Sequence, residues 1–231
     1  MDDKQPLSQG TLVYKFLPYE YGLEAIKRKR LKLSEINSLN DPYEFTLPSS
    51  NGSDQPIKAA DAQFLLLSLS KTYAEPLLWS HYADSHKGLC LEFSVIRDGC
   101  YSPMDYEPRP MLQSEIEAWK ESGSPESDAA MVRLAGYLKY EKWAYEDEVR
   151  VYIDGKVSRD RDGGLYFKSF DAAGLELRRV ILGCCCKVSP KDFLKQLKKE
   201  QFNLLVPVNK VKKSSDAFEM IFQNTPKKPQ K

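Results

Sequence analysis

The sequence lacks an excess of charge of either sign. Its 231 residues contain 34 lysine and arginine residues against 33 aspartate and glutamate residues, which gives a formal net charge of +1. A protein dedicated to binding duplex nucleic acid usually carries a strong positive excess. The charge balance therefore argues against that class, although the basic run at residues 27–30 remains compatible with local contact to an RNA or protein partner.

Long apolar runs are also missing. No run approaches the ~20 residues of a membrane-spanning helix. The first residues, Met-Asp-Asp-Lys-Gln-Pro, lack the basic-then-apolar order of a secretory signal. We therefore expect a soluble, cytoplasmic protein without a membrane partner.

The usual patterns for metals and phosphates are absent as well. The five cysteines include the run Cys184-Cys185-Cys186, which has neither the paired spacing of a zinc site nor the even count of a disulfide framework. Neighbouring side chains on a strand point to opposite faces, so this run cannot surround one ion. The chain has no glycine-rich phosphate-binding motif and no internal repeat. We expect reduced cysteines and no metal.

Strand patterns outnumber helix patterns, without regular β-α-β alternation. Apolar alternation and short apolar runs predict strands over residues 12–17, 31–33, 64–70, 89–93, 145–153, 177–183, 204–211 and 218–222. Helical spacing predicts helices over residues 21–29, 76–87, 111–121, 128–143 and 190–199. This order indicates an α+β fold rather than a doubly wound sheet. We expect one domain over residues 1–231, with disordered tails at 1–10 and 225–231 and a helical insertion or lid over 111–143.

Both histidines lie in one stretch, residues 74–93, where a helix leads into a half-buried strand. Pro76 suits the first turn of that helix, and Gly88 suits a left-handed stop just past its end. His81 lies three residues before Asp84, whose carboxylate could orient the imidazole. A position at the edge of a cleft and a packed, hydrogen-bonded position both fit His81.

Charged and hydroxyl side chains stand on three predicted strands: Lys15 on the first, Ser68 and Ser70 on residues 64–70, and Glu146, Glu148 and Arg150 on residues 145–153. Residues two apart on a strand share a face, so the two serines face the same way and the last three residues form one polar face. A snorkelling lysine, a satisfied pair of hydroxyls and a surface ladder of charges would explain the same residues without a site.

Four segments follow one another in a characteristic order: Tyr14-Lys15-Phe16, Asn40-Asp41-Pro42-Tyr43-Glu44, Trp79-Ser80-His81-Tyr82-Ala83 with His86-Lys87-Gly88, and residues 142–150, which read KWAYEDEVR. Together they resemble a widespread bacterial family of uncharacterised proteins, a domain of unknown function. The likeness runs from about Leu12 to Phe222. We place Asn40, Asp41, Glu44, Trp79 and Arg150 among the residues that support a site.

Three elements also resemble the signature of ADP-ribosyltransferase toxins and their relatives. They are a basic residue on the first strand, Lys15, a strand ending in Ser68-Leu69-Ser70, and a later strand opening with Glu146-Asp147-Glu148. Lysine stands where arginine or histidine is usual, and Leu69 stands where threonine is customary. The resemblance implies a split, mostly antiparallel sheet with flanking helices. It also implies NAD as substrate, a protein or nucleic-acid acceptor, and a role as a toxin or anti-phage effector.

The resemblance further implies a separate role for each of these residues. Glu148 would hydrogen-bond a ribose hydroxyl and stabilise positive charge on the sugar, and Glu146 would orient or deprotonate the acceptor. The cofactor-binding side chains would be Lys15 on the diphosphate, Ser68 and Ser70 beside a ribose, Tyr82, Trp79 or Tyr43 as a stacking face, and His81 in support.

Two other functions fit the same sequence. One is a noncatalytic binding module, in which Trp79, His81 and Arg150 build a polar core and residues 27–30 meet RNA or protein. The other is a metal-independent nuclease that uses His81 and His86, although five residues along one helix would place them on different faces.

Overall fold

A computed structural model gives the fold and describes residues 5–47, 55–56, 64–121, 135–154 and 161–223. The protein is α+β, with a large, mostly antiparallel sheet and a few helices. The helices are α1 (Tyr19–Arg28), α2 (Pro76–Tyr82), α3 (Gln113–Glu121) and α4 (Pro190–Lys199). The strands are β1 (Leu12–Leu17), β2 (Arg30–Lys32), β3 (Ser34–Glu35), β4 (Thr46–Leu47), β5 (Gln55–Pro56), β6 (Phe64–Ser70), β7 (Leu89–Val95), β8 (Ser102–Pro103), β9 (Asp105–Glu107), β10 (Leu138–Tyr140), β11 (Glu148–Asp154), β12 (Arg161–Asp162), β13 (Leu165–Ser169), β14 (Leu175–Leu182), β15 (Val208–Lys213) and β16 (Met220–Phe222).

The chain divides into two compact units. Unit 1 comprises Met1–Leu7, Lys32–Ser68 and Gly99–Lys168, and unit 2 comprises Ser8–Leu31, Leu69–Asp98 and Ser169–Lys231. The expectation of a single domain stays a prediction. Among the described residues, no helix is both long enough and apolar enough to cross a membrane.

In unit 2, strands β16, β15, β14, β7 and β1 lie side by side in that order. Strands β14 and β15 are parallel, and the other neighbours are antiparallel. All seven residues of β7 are buried, because both of its faces are covered. Leu89 packs so closely on Gly22 of α1 that an added Cβ would lie 2.3 Å from Leu89 Cδ1, and Cys90 shares a core cluster with Trp79 of α2. The strand predicted over residues 89–93 is therefore confirmed, but the prediction that it is half-buried is wrong.

Helix α2 is shorter than the sequence predicts. It begins at Pro76 as expected, but it ends at Tyr82 rather than just before Gly88. Residues 84–86 take left-handed φ values of 45°, 51° and 67°, which a helix cannot continue through. The two histidines therefore do not share a helix, contrary to the prediction.

In unit 1, the central region departs most from prediction. The segment 98–110, over which the sequence pattern predicts neither a helix nor a strand, contains β8 and β9. The prediction of a helix over residues 128–143 is wrong for the part that follows residue 137. Residues 135–137 are helical, but β10 follows at once and pairs in parallel with β9, and Glu141–Glu146 form a 3-10 helix. Residues 122–134 lie outside the described part of the chain.

The predicted strand over residues 145–153 breaks at its start. Glu146 ends the 3-10 helix, Asp147 turns the chain with a left-handed φ of 41°, and β11 begins only at Glu148. Glu146 therefore does not share a strand face with Glu148. The face that Glu148 and Arg150 share is not on the surface either, because both residues are buried.

The N-terminal tail that the sequence predicts as disordered is bonded in part. The Leu7 N–H donates to the Tyr101 carbonyl, and the Gly10 N–H donates to the Val95 carbonyl, both at 2.8 Å. Residues 1–4 and the C-terminal tail, 225–231, lie outside the described residues.

Candidate functional site

Five charged side chains meet inside unit 1 and form what we call the ion cluster: Glu44, Lys139, Glu146, Glu148 and Arg150. Their side chains are only between 1% and 6% exposed. Three carboxylates face two cations, so the cluster carries a formal charge of −1 when every member is ionised. Burying a charge costs a large desolvation free energy unless the charge is paired. In the ion cluster, ion pairs and hydrogen bonds offset this cost.

The backbone brings these side chains together from four short elements. Glu44 comes from the turn after Asp41, and Lys139 is the buried middle residue of β10. The left-handed Asp147 reverses the path of the chain between Glu146 and Glu148. This turn lets both carboxylates reach the same ammonium group.

Lys139 is the hub of the ion cluster. Its Nζ lies 2.5 Å from Glu146 Oε2, 2.9 Å from Glu148 Oε2 and 3.4 Å from Glu44 Oε1. The ammonium also lies 5.2 Å from the centre of the Trp143 ring, within the range of a cation–π contact. One lysine thus neutralises parts of three acids.

Arg150 holds the other side of Glu148. Its Nε donates to Glu148 Oε1 at 2.6 Å, and its second terminal nitrogen donates to Glu148 Oε2 at 3.0 Å. Arg150 also forms an ion pair with Glu44 and donates to the Gly136 carbonyl at 3.0 Å. Charge-assisted bonds of this bidentate kind fix orientation as well as charge.

Neutral groups complete the surroundings of Glu148. The Glu148 backbone N–H donates to the Tyr106 hydroxyl at 2.8 Å, and the Ser68 hydroxyl bonds the Glu148 carboxylate. The Tyr152 hydroxyl donates to the Gly136 carbonyl at 2.5 Å. The predicted site residue Ser68 therefore does contact the predicted catalytic residue Glu148.

The two acids that contact Arg150 have opposite pKa shifts. Burial opposes ionisation of Glu148, but the charges of Arg150 and Lys139 outweigh it and hold the pKa of Glu148 below its ordinary value. For Glu44, burial dominates and raises the pKa, because the charges of the same two cations only partly offset the desolvation. Glu44 is thus the member of the pair that takes up a proton more readily.

A cavity of about 340 Å³ opens beside the ion cluster, and its lining belongs entirely to unit 1. It reaches Glu44 and Lys139 of the cluster directly. The other lining residues are Asp41, Tyr43, Pro108, Arg109, Pro110, Ala135, Leu138 and Tyr140. A lining that combines apolar walls with a small number of polar groups is typical of small-molecule sites.

Unit 1 holds the greater part of the predicted acidic site. Glu44, Glu146, Glu148 and Arg150 all belong to the ion cluster, and Asp41 lines the cavity beside it. Asn40 precedes Asp41 and is exposed.

The other predicted residues belong to unit 2. The Ser70 hydroxyl donates to the Thr72 carbonyl at 3.1 Å, and the indole of the fully buried Trp79 donates to the Tyr73 carbonyl at 2.7 Å. Lys15 lies opposite Leu91 on β7. His81 is exposed and its ring meets that of Tyr82 edge-on, with centroids 6.1 Å apart.

Unit 2 contains its own buried carboxylate, Glu92. The Arg179 Nε donates to Glu92 Oε1 at 3.1 Å, and the Arg179 guanidinium lies 5.0 Å from the centre of the Phe222 ring. Burial raises the pKa of Tyr14, and the nearby Glu92 adds to the rise. This acid–arginine pair is a useful counterpart of the pair in unit 1.

Sequence reasoning missed Lys139, the residue that unites the ion cluster. It lies on a strand of only three residues inside a segment whose spacing predicts a helix, so local pattern gave no sign of it. The sequence feature that points to Lys139 is charge balance, because a buried network with several acids needs a second cation besides Arg150.

Comparison of the chain with protein-family models, with curated protein sequences and with solved structures gives no match. The function therefore has to follow from the chemistry of the site.

Proposed function

We propose that this protein is an NAD-consuming enzyme of ADP-ribosyltransferase-like fold, which cleaves the bond between nicotinamide and ribose and transfers ADP-ribose to a macromolecule. One observation supports this most: Glu148, the predicted catalytic acid, belongs to a buried ion cluster that opens through Glu44 and Lys139 into a cavity of about 340 Å³. A carboxylate kept ionised next to a pocket is what this reaction needs.

The chemistry accounts for the types of residue present. When the C–N bond breaks, its electron pair moves to the nicotinamide nitrogen and neutralises the pyridinium ring, while positive charge develops on the ribose. An ionised Glu148 stabilises that charge. The acceptor then forms a new bond to the ribose carbon and gives up its proton to a base. Glu146, predicted to act on the acceptor, lies in the same ion cluster.

Lys139 and Arg150 have a defined part in this proposal. They keep Glu148 ionised by lowering its pKa, and Lys139 must release its bond to Glu148 Oε2 if that oxygen is to contact a sugar hydroxyl. The roles of Lys15, Ser70, His81 and Tyr82 in binding NAD stay predictions.

The direct test is the release of nicotinamide from NAD, followed by chromatography, for the parent protein and for Glu148→Gln. The matched control is Glu92→Gln, which removes a buried, arginine-paired carboxylate from unit 2. We expect release by the parent and by Glu92→Gln and at least about a hundredfold loss in Glu148→Gln. Absence of release by the parent with any added protein or nucleic-acid acceptor would contradict the proposal.

One observation favours a second candidate, a noncatalytic binding module. Each oxygen of Glu148 already accepts a hydrogen bond from a cation, which is how a purely structural ion network is built. A binding module predicts that Glu148→Gln lowers stability and that no variant, including the parent, consumes NAD.

A further inference from the structure

The cavity of unit 1 has three chemically distinct zones. Three of its charged lining residues, Asp41, Glu44 and Lys139, have buried side chains, whereas the fourth, Arg109, is half exposed. Proline, alanine and leucine side chains provide apolar walls. Two tyrosines on the lining are largely exposed, Tyr43 at 62% and Tyr140 at 42%.

Asp41 carries an unsatisfied oxygen in the cavity lining. The residue is 6% exposed. Its Oδ1 accepts from the Tyr43 N–H at 2.9 Å, whereas its Oδ2 is buried without a hydrogen-bond partner among the described residues. A buried acceptor without a donor destabilises the folded protein. A ligand that brings an N–H or O–H donor to Asp41 therefore forms a hydrogen bond and also removes this destabilisation.

Arg109 adds a cation of a different kind. Its side chain is 51% exposed, and its two terminal nitrogens bond Glu115 at 2.9 and 2.8 Å. Because Lys139 is enclosed by three carboxylates, Arg109 is the lining cation that an anionic group from solvent can approach.

We propose that this cavity binds one nucleotide, with the base inward and the phosphate outward. An amino or amide N–H of the base donates to Asp41, the flat ring packs between the apolar walls and the two tyrosines, and the phosphate pairs with Arg109. The inference deepens the proposed function and rests on it, since it assigns to this cavity one half of NAD. A volume of about 340 Å³ suits a single nucleotide and not a whole dinucleotide.

Calorimetric titration with four probes tests the assignment: AMP, adenosine, nicotinamide mononucleotide and nicotinamide riboside. The two pairs differ only by the phosphate, and the two bases show which half of NAD enters. We expect one nucleotide to bind. Asp41→Asn keeps an oxygen for the Tyr43 N–H but turns the other position into a donor, and it weakens binding about tenfold or more.

Arg109→Ala locates the phosphate. It weakens the nucleotide that binds about three- to tenfold and leaves the matching nucleoside unchanged. Arg178→Ala is the control, because Arg178 is also 51% exposed and also pairs with a glutamate, but lies in unit 2. Thermal unfolding of each variant confirms that it is folded before titration.

Three outcomes overturn the inference: no binding by any of the four probes, binding unaffected by Asp41→Asn in a folded protein, or equal weakening by Arg109→Ala and Arg178→Ala. The inference and the proposed function fail separately. Nucleotide binding without NAD consumption contradicts only the enzyme, whereas NAD consumption that Asp41→Asn leaves unchanged contradicts only this assignment of the cavity.

Discussion

Glu148 and Arg150 stand two residues apart on β11 and point the same way, and the Arg150 guanidinium bonds both oxygens of the Glu148 carboxylate, at 2.6 and 3.0 Å. Alternation along a strand places them on one face, and burial makes each depend on the other. Removing Glu148 takes two charge-assisted hydrogen bonds from the buried Arg150.

Glu148→Gln should lower the free energy of unfolding at pH 7 by about 3–5 kcal/mol, because it takes two charge-assisted hydrogen bonds from the buried Arg150 and one from Lys139. Glu44→Gln should cost less than Glu148→Gln, since burial raises the pKa of Glu44 whereas the two cations lower the pKa of Glu148, so ionised Glu44 contributes less to stability. Urea unfolding of both variants measures the difference. Equal losses would show that the two acids are held ionised to the same extent.

The effect of Glu148→Gln should also depend on pH. The folded pKa of Glu148 lies below its ordinary value of 4.5, so its stabilisation is complete above that value and is lost as the pH falls through the folded pKa. The gap in unfolding free energy between the parent and Glu148→Gln should therefore be widest near neutrality and shrink below pH 4.5. A gap that stays constant from pH 7 to pH 3 would contradict the shift.

Glu44 should show the opposite slope. Its folded pKa lies above the ordinary 4.5, so the folded protein holds this proton longer than the unfolded chain, and stability falls as the pH rises between the two values. Replacing Glu44 by glutamine should remove that decline. Unfolding curves from pH 4 to 7 for the parent and Glu44→Gln provide the comparison.

Gly136→Ala should destabilise the protein by about 1–3 kcal/mol through overpacking. A Cβ at this position would lie 2.3 Å from the Tyr152 hydroxyl and 2.6 Å from the Phe45 ring. The same glycine offers its carbonyl to Arg150 and to Tyr152, so the strain falls on groups that hold the ion cluster. Adding Gly136→Ala to Tyr152→Phe separates the two clashes: the further loss relative to Tyr152→Phe alone is due to Phe45.

Local pattern predicts the elements whose boundaries are set locally. The strand at Phe64–Ser70 has the predicted bounds because its apolar run is continuous. The helix at Pro190–Lys199 also has them, because the Ser189 side chain caps it by accepting from the Asp192 N–H at 3.1 Å and proline opens its first turn. These signals act within a few residues.

The site could be predicted only in part. Glu148 and Arg150 were found by their spacing, but their polar character indicated a surface, whereas pairing with each other and with Lys139 makes burial possible. Asp147 has a left-handed φ of 41°, but it is not a glycine, so the sequence does not indicate the turn at this position. The approach of Glu44 to Lys139 is a tertiary contact between segments far apart in the chain, which periodicity cannot reveal.

The most direct test of this account is the release of nicotinamide from NAD by the parent, by Glu148→Gln and by Glu92→Gln, at a temperature where all three are folded. We expect release by the parent and by Glu92→Gln, with at least about a hundredfold loss in Glu148→Gln. Release that survives in Glu148→Gln, or no release by the parent with any protein or nucleic-acid acceptor, would contradict it.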